Sequence, residues 1–130
     1  MQNTVEYWLD LCDYDLDTAW AMQKTERYLY VGFMCHQVAE KGFKAIVANK
    51  TTQIPPKTHD LRKLAKLGGV FDMLTDEQFE IIDKVSPLQI DARYPEYKEK
   101  ISQTLSKEYC EKMIEETEVL LCWIKEQLGK

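Results

Sequence analysis

RYLYVGFMCHQVAEKGFKAIVANK, residues Arg27 to Lys50, contains no proline and reads as one long helix. At about 100° per residue, Tyr28, Val31, Cys35, Val38, Ala39, Gly42, Phe43, Ala45 and Ile46 fill a wide apolar sector. That is broader than the face of a surface helix and predicts the central helix of a bundle. Gly32 and Gly42 share the sector. Each costs about 1 kcal/mol relative to Ala inside a helix, so both predict a close approach to a neighbour. The remainder is a narrow polar stripe of Gln37, Glu40, Lys41 and Lys44 with Tyr30, and His36 at its edge. By position alone a solvated strip is favoured, with Glu40 and Lys44 as an i,i+4 pair. The sharper alternative is a cleft that holds an anion.

Outward from this helix, the chain reads as one domain over residues 1–130, long enough to bury a core without staples. With 45% hydrophobic and 11% aromatic residues it is not composed like a disordered chain. No apolar run of membrane-spanning length occurs, and MQNTVEYWLD is neither basic nor apolar, so a cytoplasmic protein with no membrane partner is expected. Cys12, Cys35, Cys110 and Cys122 form no CxxC, which predicts reduced thiols, and no ligand spacing supports a zinc site. The net charge is −5, yet Glu40 to Lys66 holds seven basic and two acidic residues. A basic segment on an acidic chain suits a phosphate ligand or an acidic partner and is a poor grip for long DNA.

Helix patterns precede and follow. From about Asn3 to Lys24, Val5, Trp8, Leu9, Cys12, Leu16, Ala19 and Trp20 form one stripe, and Tyr7, Leu11, Tyr14, Thr18 and Ala21 a milder second one. The short link Thr25-Glu26 predicts an antiparallel pair. After Pro55-Pro56, Thr58 reads as the N-cap of HDLRKLAKL, which Gly68-Gly69 ends. Thr75 with Gln78 forms a capping box, and Pro87 stops the helix that follows. LQIDARYPEYK, Leu88 to Lys98, is the least regular stretch. Its Arg93 suits either an ion pair or bidentate phosphate binding, and the structural role is favoured for Arg93 alone. Ser106 caps a last helix reaching about Leu128. Its stripe is Tyr109, Cys110, Met113, Ile114, Leu120, Leu121, Ile124 and Leu128, and Val119, Cys122 and Trp123 lie outside it.

HQVAEK at 36–41, KTHDL at 57–61 and ARYP at 92–95, in this order and spacing, resemble the HEPN family, named for higher eukaryotes and prokaryotes. The resemblance covers about Val5 to Leu128. It implies an all-α, up-and-down bundle of about five helices, similar to the helical domain of kanamycin nucleotidyltransferase. It also implies a homodimer and a minimal nucleotidyltransferase partner in a toxin–antitoxin-like pair. Some such proteins are metal-independent ribonucleases with an Arg followed, one to two turns on, by a His. There the His acts on the 2′-OH and the Arg stabilises the phosphorane. No His follows Arg62 or Arg93 here, and Arg27 and His36 project about 180° apart.

The expectation is therefore a module that binds a nucleotide or RNA and is non-catalytic alone, without cofactor or metal. Its expected ligand-binding residues are His36, Gln37, Glu40, Lys41, Lys44, Lys57, His59, Arg93 and Tyr94. Lys and Arg would neutralise phosphate and Tyr94 would stack on a base. The alternatives are a ribonuclease toxin using His36 or His59 with Arg93, and a structural dimeric scaffold.

Overall fold

The structure, a computed structural model, describes residues 4–89 and 103–130. Among them are five α-helices and no strand: α1 (Val5–Lys24), α2 (Tyr28–Thr51), α3 (Leu61–Leu67), α4 (Asp76–Val85) and α5 (Lys107–Gln127). Two 3-10 turns, Phe71–Met73 and Ser86–Gln89, flank α4. The expected all-helical bundle is what the chain forms.

The starts of four of these helices follow from local chemistry. Thr4, Asp60, Thr75 and Ser106 each accept a backbone N–H of the first turn, which satisfies a donor that has no intrahelical partner. Thr75 and Gln78 complete the expected capping box. The cap of α3 differs from the expectation. Asp60, not Thr58, accepts from Lys63 N–H at 3.1 Å, while Thr58 Oγ1 accepts from Asp60 N–H at 3.2 Å. Thr58 thus turns the loop and Asp60 starts the helix, leaving His59 outside it. At its other end α4 gives way to a 3-10 turn through Ser86 and Pro87, where the expected break lies.

α2 is the centre. It buries Val31, Cys35, Val38, Ala39, Phe43, Ala45 and Ile46, so its apolar sector faces neighbours nearly all round. Contacts order the bundle. Trp8 meets Lys44 and Cys12 meets Val38, so α1 runs antiparallel to α2. Glu6 pairs with Lys130, Asp13 with Lys125, and Gln23 reaches Lys107 O, so α5 is also antiparallel to α1. α4 closes the other side, its Ile82 and Val85 joining Phe43, Leu64, Met113, Ile114 and Ile124 in the main core. The two glycines do bring elements close: a Cβ at Gly42 would lie 2.8 Å from Ile124 Cδ1, and one at Gly32 2.9 Å from Leu88 Cδ1. No helix among the described residues is long and apolar enough to cross a membrane.

Candidate functional site

Tyr30 is exposed and Gln37 and Lys41 are half-buried, but the rest of the polar stripe of α2 is not a solvated strip. His36, Glu40 and Lys44, one turn apart on one face, are 0%, 4% and 8% exposed. They are buried because α1, α3 and α4 all pack on α2, which leaves this helix almost no free side.

Glu40 is the hub. Its Oε2 accepts from Lys44 Nζ at 2.9 Å, and its Oε1 lies 3.2 Å from His36 Nε2 and 2.7 Å from His59 Nδ1. His36 Nδ1 lies 3.0 Å from Val85 O, and since a carbonyl only accepts, Nδ1–H is the donor there. This bond ties α2 to the end of α4. It also means that His36 Nε2 meets Glu40 Oε1 either as the second N–H of an imidazolium or with another cation between two lone pairs. Burial on its own would raise the Glu40 pKa. The bonds from His36, Lys44 and His59 outweigh it and hold the carboxyl at about 2. A fixed anion therefore sits behind His59, whose side chain is 60% exposed. Among the described residues the Nε2 of His59 has no partner. Lys44 also lies 5.6 Å from the centroid of the Trp8 ring, whose buried Nε1 has no hydrogen-bond partner among the described residues.

The other expected site residues separate from this cluster. Lys41 leaves it for α1, donating to Asp15 Oδ2 at 2.6 Å. Gln37 is half-buried and makes no hydrogen bond among the described residues. Lys57 is exposed, two residues before His59 on the same loop. Arg93 and Tyr94 lie outside the described residues. Of the seven basic residues in the positive segment, Arg62 is held by Asp83 in a two-bond fork, and Lys50, Lys57, Lys63 and Lys66 have no carboxylate partner among the described residues.

Three participants escaped the sequence reading. Asp15 carried a signal, since it falls between Cys12 and Ala19 on the buried face of α1, where an acid requires a partner. Trp8 looked like core. The Val85 carbonyl has no side-chain signature. The thiols play no part in this site: burial pushes Cys12 and Cys35 up to about 12 and Cys110 to about 11, which leaves them as unreactive core residues. Cys122 is exposed.

The HEPN domain model matches residues 5–127, nearly the whole chain. The chain belongs to the HEPN family. No curated protein and no solved structure matches it. All the residues of the Glu40 cluster lie within the matched HEPN span, so the cluster is part of the HEPN domain rather than of an appendage. Membership is consistent with a nucleotide- or RNA-related module.

Proposed function

We propose that this HEPN chain binds the phosphate of a nucleotide or RNA at the exposed edge of the Glu40 cluster, and does so beside a minimal nucleotidyltransferase in a toxin–antitoxin-like pair. The observation that carries the reading is His59. Its ring is oriented by a buried carboxylate while Nε2 is left without a partner among the described residues. Lys57, also unpaired there, adds positive charge on the same loop. With Nδ1–H donating to Glu40, His59 donates Nε2–H to a phosphate oxygen in its imidazolium form, and the Lys57 ammonium on the same loop adds a second charged donor. Glu40 and His36 act through His59, Lys44 fixes the second carboxylate oxygen, and Arg93 and Tyr94 would supply the guanidinium and the stacking ring. Gln37 and Lys41 flank the cluster on the next face of α2.

Calorimetric titration with a nucleotide panel and a short single-stranded RNA tests this. His59→Ala and Lys57→Ala should each weaken binding about tenfold, the equivalent of about 1.4 kcal/mol. Lys57 is exposed and has no carboxylate partner among the described residues, so its melting curve should not move, whereas His59→Ala also removes one donor from buried Glu40 and should lower stability modestly while the fold stays intact. No binding by the unaltered chain, or binding indifferent to both substitutions, would reject the reading.

One observation favours a catalytic reading. A carboxylate-held imidazole is the arrangement of a general base, and Glu40–His59 has it. His36 is wholly enclosed and cannot meet a 2′-OH at the surface. With the family's Arg–His spacing absent from the sequence, we place binding before cleavage. RNA cleavage that disappears in His59→Ala would reverse that order.

A further inference from the structure

We propose that His36 Nε2, Glu40 Oε1 and His59 Nδ1 form a binding site for one divalent ion of the zinc class. The proposal does not rest on the nucleotide reading.

Three features of the cluster point to it. First, the ligand atoms converge: the three groups offer atoms that all lie within 4.8 Å of one another, two of them imidazole nitrogens and one a carboxylate oxygen. Around an ion with bonds of about 2.0–2.2 Å, tetrahedral ligand atoms stand about 3.4 Å apart. The two separations to Glu40 Oε1, 3.2 and 2.7 Å, need only a small outward shift, which the exposed His59 ring can make. Second, the surroundings are those that orient metal ligands. His36 Nδ1–H donates to the Val85 carbonyl, which orients its Nε2 toward Glu40. Lys44 takes the other carboxylate oxygen and leaves Oε1 facing the two rings. Third, the contact between His36 Nε2 and Glu40 Oε1 admits either the proton of an imidazolium or, between two lone pairs, another cation. In the second case a metal ion satisfies it together with His59.

The donor set decides the class. Two nitrogens and one oxygen suit a borderline ion such as Zn²⁺ and not Mg²⁺ or Ca²⁺, which take oxygen ligands. Because His59 is largely exposed, a fourth coordination position would open to solvent.

The test uses the full chain carrying Cys122→Ser, which removes the exposed thiol as a competing ligand. The protein is stripped with a chelator and titrated with Zn²⁺ against a chromophoric competitor, with Co²⁺ as an optical probe of geometry. We expect one equivalent per chain, a raised melting temperature with Zn²⁺, and visible Co²⁺ bands of a four- or five-coordinate site. His59→Ala, at an exposed position, should leave the fold intact, weaken Zn²⁺ at least about tenfold and abolish the thermal shift. Glu40→Gln should do the same wherever its circular dichroism stays helical. No stoichiometric Zn²⁺ at about 100 µM, or affinity and thermal shift unchanged in His59→Ala, would overturn the proposal.

Discussion

Glu40 is a buried carboxylate whose charge is held by three donors, and its energetics set the acid stability of the protein. Its pKa falls from an ordinary 4.5 to about 2 on folding. A depressed carboxyl contributes stability that is fully present above the unfolded value and lost as pH drops toward the folded one. We therefore expect unfolding free energy to decline between about pH 4.5 and pH 2, by on the order of 3 kcal/mol from this group. Glu40→Gln should be less stable at neutral pH by about 3–5 kcal/mol, because Lys44 loses its counter-charge in the interior and both imidazoles lose their carboxylate partner. Its stability should also be flatter across the acid window. Denaturant melts at several pH values check both; parallel profiles for the two proteins would show that Glu40 is not the titrating hub.

On the scale of elements, α2 shows what the sequence could and could not reveal. Its breadth of apolar positions announced a central helix, and Gly32 and Gly42 announced close neighbours, because periodicity and glycine cost are local properties. The fate of Glu40 and Lys44 was not local. An i,i+4 acid–base pair looks the same on a solvated face and in a core, and only the packing of α1, α3 and α4 decides that this one is buried. His59 is the companion case: its residue type and loop were legible, whereas its bond to Glu40, 19 residues away in sequence, depends on where Thr58 turns the chain and Asp60 starts α3. Arg93 and Tyr94 were equally legible as residues, but fall outside the described part of the chain. Alanine at Gly42 gains about 1 kcal/mol in helix propensity, but its Cβ would press on Ile124, which is fully buried, and overpacking costs about 1–3 kcal/mol. We expect a net loss of up to about 2 kcal/mol for Gly42→Ala in denaturant unfolding. A gain in stability would mean that α2 and α5 are less tightly apposed than the structure shows.

For the whole molecule, the bundle leaves apolar groups outside: Tyr7 and Tyr14 on α1 and Val119 on α5, with Tyr14 71% and Val119 70% exposed. We propose that such surface is covered in a homodimer. Sedimentation should show twice the 15.3 kDa chain mass at tens of micromolar, and a clean monomer there would argue against it. The central claim is that one acidic HEPN bundle carries a phosphate-binding edge around His59. Backbone amide NMR during titration with a short single-stranded RNA or a nucleoside triphosphate tests it most directly. We predict saturable shifts concentrated at Lys57, His59, Glu40 and Lys44, which His59→Ala removes. Absence of any saturable shift, or shifts confined to the exposed faces of α1 and α5, would contradict it.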